Sequence, residues 1–600
     1  MIDSGLRAYV ESWLADDPDK RDRTELRELL DAASARDDEA ERDLRDRFAG
    51  RLEFGTAGLR GRIGAGPNRM NLAVVRATTA AVAGWLADGE CHAPSVVVGC
   101  DARHRSEEFA DEAAAVLAGA GVQVHLLPRP CPTPLLAFAV RHLCVRAGIM
   151  ITASHNPAAD NGYKLYLGDG AQIIPPADAE ISGRIARLRP LSAVPTASLD
   201  SPLVTWHGDD VAKAYLRAIT ARLAEAASRE PEGFTHPGQS EWPPLTVVYT
   251  PLHGVAGTLM LRAIERAGLA VPHVVKAQAD PDPDFPTLAF PNPEEPGALD
   301  LALKEAVAVG ADLVLASDPD GDRLAVAVPD NAPEDAQKGT RDPGGGWRQL
   351  TGDQLGALLG AYLLRVRPPR PAAPGIDDAL VPLIATTIVS STLLRKIAQA
   401  AGAGYAETLT GFKWISRAAD DLPGSDLVFG YEEALGYMIG QAVRDKDGIG
   451  AALAVLAMAA EAKAAGRTLL DAYDDLEREH GVHVTEQLSL RIPDTGAVMR
   501  RIRSAPPARL GGLPVSTVTD YAVSRDGTAA GSGLPPSDVL RFTLDGARVV
   551  VRPSGTEPKI KAYLEVVHPV GGRVGLITAR TAARARLASL RSAVAGLLET

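Results

Sequence analysis

Cysteine is scarce. Only Cys91, Cys100, Cys131 and Cys144 occur in 600 residues, and no two form a CxxC pair. Free thiols in a reducing cytoplasm are therefore expected. Long apolar runs are missing as well. The longest lies near Ala451–Ala460, and Glu461 and Lys463 close it far short of a membrane span. The first twenty residues carry acids early and hold no apolar core followed by a cleavage site, so no secretory leader is expected. Positive charge is in deficit, 63 Lys and Arg against 76 Asp and Glu, and the formal charge of −13 argues against a dedicated nucleic-acid binder. Anionic substrates are not excluded, because local clusters and not net charge set the field in a cleft. There is no GxxxxGK[ST] loop, so ATP is not the implied donor, and no GxSxG elbow surrounds any serine considered below. Gly61, Gly64 and Gly66 are spaced GxxGxG, which reads as a tight turn and not as a dinucleotide fingerprint.

What is present is ordinary for a globular protein, 46% apolar and 23% charged residues. The length is too great for one core and implies roughly three to five domains. Residues 1–50 read as amphipathic helices whose dense mixed charge is expected to form a solvated outer face. Beyond them, short apolar runs alternate with helical patterns, the signature of α/β units on parallel or mixed sheets. Strands are expected at Val96–Gly99, Val122–Leu127 and Ile149–Thr152; at Leu245–Thr250, His273–Lys276 and Leu313–Ala316; and at Leu380–Thr387, Glu407–Thr410 and Leu427–Phe429. Helices are expected over Glu107–Ala118, Leu259–Ala267, Leu301–Val309 and Leu393–Ala400. In the last region Leu540–Leu544 and Arg548–Val551 flank Asp545-Gly546, a hairpin signal.

Gly- and Pro-rich linkers fall at Pro231–Pro244, Pro329–Gly346 and Pro368–Gly375, and further loops are expected at Ser504–Pro514 and Asp526–Pro536. The expected domains are 1–210, 211–346, 347–480 and 481–600. A loose repeat runs through the first three: AGIMITASHNP, ADLVLASDPDGDR and DLVFGYEEALG each pass from an apolar strand directly into a polar loop. Loops beyond the carboxyl ends of strands are where α/β sheets bind ligands, so three such loops can face one cleft.

In SDPDGDR, alternate positions of an extended loop converge Asp318, Asp320 and Asp322. At ~5 Å and an effective dielectric of ~20 each pair repels by ~3 kcal/mol, which a hard divalent cation relieves. A lone DxD would be a solvated acidic turn. An EF-hand fails on position, since glycine falls fourth and a strand follows in place of a helix. Three Asp beside Arg323 favour a phosphate-handling metal site, and Mg²⁺ suits it because it keeps open positions for phosphate oxygens. In TASHNP, Asn-Pro forces a turn that exposes the Ser154 hydroxyl beside His155, and Lys164 follows ten residues later. Taken singly, each of these reads more readily as a loop cap than as a catalytic group.

Together TASHNP, SDPDGDR and RPSGTEPKIKAY, in this order and spacing, resemble the α-D-phosphohexomutase superfamily from about Arg51 to the end. FGTAGLRG (54–61), GFKW (411–414), FGYEEALGYMIG (429–440) and RDKDG (444–448) are similar to the branch holding bacterial phosphoglucomutases and phosphomannomutases and the phosphopentomutase-like enzymes of animals. The resemblance implies three related α/β domains with mixed sheets and a smaller C-terminal α+β domain around one cleft. It implies an enzyme interconverting hexose 1-phosphate and hexose 6-phosphate, glucose or mannose, with ribose or deoxyribose phosphate as the runner-up. Ser154 would be phosphorylated and would bind Mg²⁺ with Asp318, Asp320 and Asp322. His155 and Lys164 would serve acid/base and phosphate-contacting roles, and Arg60 and Arg323 would steady the transferring phosphoryl group. Glu432 would bond sugar hydroxyls. Arg552, Ser554, Gly555 and Thr556 would clamp the other phosphate, with Lys413 and Lys446 nearby. A sugar 1,6-bisphosphate would act as activator. The chain departs from the pattern at Ala434, where many hexose-phosphate mutases carry a serine. A metal-dependent phosphatase and a non-catalytic sugar-phosphate sensor are the rival classes.

Overall fold

The computed structural model describes residues 2–55, 58–89, 93–188, 190–227, 244–330, 346–366, 380–522, 534–554, 558–571 and 575–599. Four sheets follow one another along the chain. The first has six strands in the order Leu59–Arg62, Asp160–Leu167, Ala147–Ile151, Ser95–Cys100, Gln123–Leu126 and Val204–Trp206. The last four are parallel, and Asp160–Leu167 runs antiparallel to both of its neighbours. Five strands make the second sheet, Trp347–Gln349, Leu324–Pro329, Leu313–Ser317, Val247–Thr250 and His273–Val274. The third has four, Gly404–Thr408, Val381–Thr387, Ser425–Glu432 and Gly436–Ile439. The fourth is antiparallel throughout its six strands, with Lys559–His568 and Ala547–Pro553 inside it, and the helix Leu576–Glu599 lies against it.

Each expected repeat is a hairpin. Ala147–Ile151, Leu313–Ser317 and Ser425–Glu432 are each followed by a short loop and an antiparallel return strand. The first two strands are buried along their whole length, as strands covered on both faces must be, which is why they read as unbroken apolar runs. Their carboxyl ends therefore deliver the polar loops 152–159, 318–323 and 433–435 to one region, where Arg323 pairs with Gly436 across an isolated bridge.

The sequence expectations differ from the structure in three places. The strand expected at Glu407–Thr410 occupies Gly404–Thr408, an edge strand whose Gly404 and Ala406 give no apolar signal. Ser504–Pro514, expected as a loop, includes the paired strands Arg509–Leu510 and Leu513–Asp520, joined through Gly511 and Gly512 with positive φ. The charge of the N-terminal helices Ser4–Asp16, Lys20–Ser34 and Asp38–Arg47 is only partly solvated. Val10, Trp13, Leu26, Leu44 and Phe48 form a small core, while buried Asp19 and Asp22 pair with Arg105 at 2.5 and 2.8 Å. Most of the expected linker and loop segments Pro231–Pro244, Pro329–Gly346, Pro368–Gly375 and Asp526–Pro536 lies outside the described residues.

No single helix among the described residues is long and apolar enough to cross a membrane. The apolar run Ala451–Ala460 belongs to the helix Gly448–Ala464 and is buried in the largest core cluster. Cys100, Cys131 and Cys144 are free thiols, and Cys91 lies outside the described residues.

Candidate active site

Ser154 stands at the end of its strand with φ of 53°, a left-handed conformation that costs a non-glycine residue of order 1–3 kcal/mol and clusters at functional sites. Its amide donates to Thr152 Oγ1 at 2.9 Å. Arg103 grips the same loop from beneath, donating to the Ser154 carbonyl at 2.7 Å, to the Pro157 carbonyl at 2.7 Å and to that of Asn156. So held, the Ser154 hydroxyl donates to Asp318 Oδ2 at 2.7 Å and lies 3.1 Å from His155 Nδ1. The adjacency of serine and histidine in sequence is thus also a contact in space. Burial, reinforced by Arg323 and Arg60, pushes the His155 pKa well down, so the ring is neutral near pH 7.

Asp318, Asp320 and Asp322 are fully buried, and their oxygens lie within 4.8 Å of one another. Gly321 turns the loop with φ of 70°, and a Cβ there would meet that of Ala256 at 2.7 Å. The Thr133 hydroxyl donates to Asp320 Oδ2 at 2.6 Å, and the Thr133 amide to the Asp320 carbonyl at 2.9 Å. Lys164 donates to Asp320 Oδ2 at 2.6 Å and to Asp322 Oδ2 at 2.8 Å. Burial alone would raise the Asp320 pKa, but Lys164 and its hydrogen bond, with that from Thr133, hold it well below the usual carboxylate range. Burial and the two neighbouring carboxylates push Asp318 well up. One oxygen each of Asp320 and Asp322 is buried yet accepts no hydrogen bond from the described residues. Such orphaned acceptors in a buried acidic cluster fit a hard divalent cation.

The surrounding cations come from three domains. Arg60 rises from the strand Leu59–Arg62 and donates to Asn156 Oδ1 at 3.2 Å. Its approach requires Gly58, where φ is 91° and a Cβ would stand 2.4 Å from the Tyr163 carbonyl. Arg323 lies 3.4 Å from Glu294, and its amide donates to Asp318 Oδ1 at 2.9 Å. Lys446 spans two loops, 3.3 Å from Asp322 and 3.9 Å from Glu432. Although burial lowers the Lys446 pKa, Asp322, Asp445 and Glu432 more than reverse it, so the ammonium stays charged. Asp445 is itself held by Tyr166 at 2.6 Å and Gln172 at 2.8 Å.

Ser154, His155, Lys164, Arg60, Arg323, the three aspartates, Lys446 and Glu432 are therefore gathered into one site. Lys413 stands 5.7 Å over the Trp414 ring, where burial lowers its pKa. Arg552 lies on the fourth sheet beside Lys561, with a buried Nε that has no hydrogen-bond partner among the described residues. The Ser554 amide donates to the Lys559 carbonyl at 2.8 Å and closes the base of that loop, and Gly555 and Thr556 lie outside the described residues. Arg103, Thr133, Glu294 and Asp445 escaped the sequence reading. The only signal for Arg103 was its place in GCDARHRS, another polar segment at a strand end.

Comparison with known proteins agrees along the chain. The phosphoglucomutase/phosphomannomutase alpha/beta/alpha domains I, II and III match residues 51–191, 214–331 and 351–479, and the C-terminal domain of the same family matches 500–569. A Haemophilus influenzae protein named "Probable phosphomannomutase" is 40% identical, covering 82% of this chain and 92% of its own. Mouse phosphopentomutase is 33% identical, covering 95% and 92%. The crystal structure of a phosphoglucomutase/phosphomannomutase family protein from Burkholderia thailandensis has the same fold, with a TM-score of 0.63 and 20% identity over 91% of this chain and 96% of that one.

Proposed function

The chain belongs to the phosphoglucomutase/phosphomannomutase family and is a phosphosugar mutase, and from that premise we propose that it interconverts hexose 1-phosphate and hexose 6-phosphate, of glucose, mannose or both, through a phosphoserine at Ser154. The observation that carries this reading is the 2.7 Å contact of the Ser154 hydroxyl with Asp318, at the mouth of three buried aspartates ringed by Arg60, Arg323 and Lys446. A nucleophile beside an acidic cation cradle, with guanidinium groups around it, is what phosphoryl transfer asks of a protein.

Ser154 and Asp318, Asp320 and Asp322 would hold Mg²⁺, which when bound supplies charge neutralisation for the phosphoryl oxygens. In the first transfer the bond from phosphorus to Ser154 Oγ breaks as the free sugar hydroxyl bonds the same phosphorus, and His155 or Lys164 handles the proton that this hydroxyl releases. Arg60 and Arg323 bind the oxygens in flight. The resulting bisphosphate turns around in the cleft, and its other phosphoryl group passes to Ser154 while the proton returns to the sugar oxygen left behind. Glu432 accepts from ring hydroxyls in both poses, and Arg552 with Ser554, Gly555 and Thr556 clamps the phosphate that is not reacting, with Lys413 and Lys446 nearby. Domains bounded at 1–210, 211–346, 347–480 and 481–600 would supply, in turn, the nucleophile, the cation site, the sugar loop and the phosphate clamp. A sugar 1,6-bisphosphate would rephosphorylate enzyme that has lost its phosphate. The free thiols suit action in the cytoplasm. Pentose 1-phosphates are the second substrate class, favoured by Ala434 and by likeness to the mouse phosphopentomutase.

Isomerisation and phosphate release, measured side by side on glucose 1-phosphate, test the reading. A mutase yields glucose 6-phosphate with free phosphate trailing far behind. Stoichiometric phosphate release would mean a phosphatase, and neither product would mean a sensor.

A further inference from the structure

Glu433 follows the sugar-loop Glu432 but takes no part in the chemistry above. It opens the turn 433–435, which the ladder closes by pairing Glu432 with Gly436, and Leu435 in the turn has φ of 60°. The turn is pressed onto the helix Gly352–Val366 so tightly that a Cβ on Gly352 would stand 1.9 Å from the Glu433 carbonyl oxygen. The Glu433 side chain reaches across to the segment after Val381–Thr387, accepting from Ser390 Oγ at 3.1 Å and from Thr387 Oγ1 at 3.3 Å. Those hydroxyls lie 2.8 Å apart, and the Thr387 hydroxyl also accepts from the amides of Val389 and Ser390.

This segment is in turn gripped by the fourth sheet. Arg548 donates to the carbonyl oxygens of Ile388, at 3.1 Å, and Ser390, and its Nε donates to Glu565 at 2.7 Å. Glu565 accepts from the Ser391 hydroxyl and the Thr392 amide, each at 2.8 Å, and lies 2.9 Å from His483. Arg548 and Arg552 share one strand, two alternations apart, and so one face of it. Val550, between them on that face, joins Tyr563 in a cluster with Ile388 and Val389. Burial raises the Tyr563 pKa, and the Glu433 charge adds to that shift while Arg552 opposes it. The sheet that carries the phosphate-clamp arginine thus fixes the Ser390 turn, and the Ser390 turn holds Glu433.

We propose that Glu433 is a positioning residue, anchoring the sugar-binding loop to the Thr387–Ser390 turn so that Glu432 meets the substrate in fixed register with Arg552. The proposal rests on the reading of Glu432 as the acceptor for sugar hydroxyls. Partial burial and the adjacent Glu432 charge push the Glu433 pKa to about 7, in keeping with a carboxyl that needs both hydroxyl donors.

The test compares Glu433→Ala, Glu433→Gln and Ser390→Ala in the full chain. Losing the anchor in Glu433→Ala raises KM for glucose 1-phosphate by about tenfold while kcat falls less, because binding shared by ground and transition states registers in KM. Glu433→Gln keeps an oxygen that accepts from both hydroxyls and brings KM back to within about threefold of native. Inorganic phosphate makes no use of the sugar contacts, so its inhibition constant stays within about twofold in all three variants. The proposal is overturned if KM in Glu433→Ala stays within about twofold of native, if glutamine fails to rescue, or if inorganic phosphate weakens in step with the sugar phosphate. If Glu433→Ala does not fold, Ser390→Ala decides, with KM raised about threefold in support and an unchanged KM against. Glu432→Ala is measured alongside. An unchanged KM there removes the assignment of Glu432 itself, whereas a raised KM there with none in Glu433→Ala removes only the role of Glu433.

Discussion

Lys164 is the residue on which the charge balance of the site turns. It is fully buried and lies within 2.8 Å of two aspartates, and the repulsion within the acidic cluster falls chiefly to its ammonium group, with Lys446 at 3.3 Å from Asp322. Removing one partner of a buried ion pair typically costs about 3–5 kcal/mol because a charge is left uncompensated. Lys164→Met should therefore lower unfolding stability by that order in chelator. Excess Mg²⁺ should recover a larger share of stability in the variant than in the native protein, since a ligand that binds only the folded state stabilises by mass action. Urea unfolding with and without Mg²⁺ checks this, and equal Mg²⁺ responses in the two proteins would remove the cation from the aspartate cluster. The aspartates were legible in sequence because alternate positions of one loop carry them, whereas Ser154 and Lys164 were legible only through the family resemblance of TASHNP with a lysine ten residues on. The same motif could not show that Lys164 reaches Asp320 and Asp322, since that contact joins two domains.

The elements that deliver these residues are three hairpins, and their supports come from elsewhere in the chain. Thr133, at the start of the helix Thr133–His142, holds Asp320 by side chain and backbone together. Outer-shell partners of this kind typically tune metal affinity by about 10–100-fold. Thr133→Val, which keeps the shape and removes the hydroxyl, should shift the Mg²⁺ activation midpoint upward by about tenfold with little change in activity at saturation. An unmoved midpoint would make Thr133 a packing residue only. In the sugar loop, Ala434 offers a methyl where a serine would offer a hydroxyl, and a site lacking a donor rejects analogues less sharply. Glucose 1-phosphate and mannose 1-phosphate should then differ in kcat/KM by no more than about tenfold, roughly 1.4 kcal/mol, with pentose 1-phosphates also turned over. Ala434→Ser should sharpen the preference for hexoses, and unchanged substrate ratios in that variant would reduce Ala434 to packing. Strands and loops were readable here because short apolar runs and turn residues are local signals. Thr133 and Arg103 were not, because each acquires its role only when a partner far along the chain folds against it.

At the scale of the molecule, the proposed relay asks four sheets to bring four kinds of group to one cleft, so that no domain alone would hold a complete site. The first sheet presents Ser154, the second Asp318, Asp320 and Asp322, the third Glu432 and the fourth Arg552. The repeated strand-to-loop pattern exposed the first three parts of that division in the sequence, and the family resemblance supplied the fourth. The buried bonds that lock the third domain to the fourth, Arg548 and Glu565 against the Ser390 turn, left no trace there, because hydroxyls and carbonyl groups at such distances in sequence form no pattern. What would unite the four contributions in the proposed relay is a phosphoryl group that leaves Ser154 for the sugar while the sugar's other one takes its place. Enzyme radiolabelled at phospho-Ser154, mixed once with excess unlabelled glucose 1-phosphate, follows it directly. A relay predicts that label leaves the protein for glucose 1,6-bisphosphate and glucose 6-phosphate while the serine remains phosphorylated, and that Ser154→Ala takes up no label and turns over no substrate. Label emerging as inorganic phosphate, or full turnover by Ser154→Ala, would contradict it.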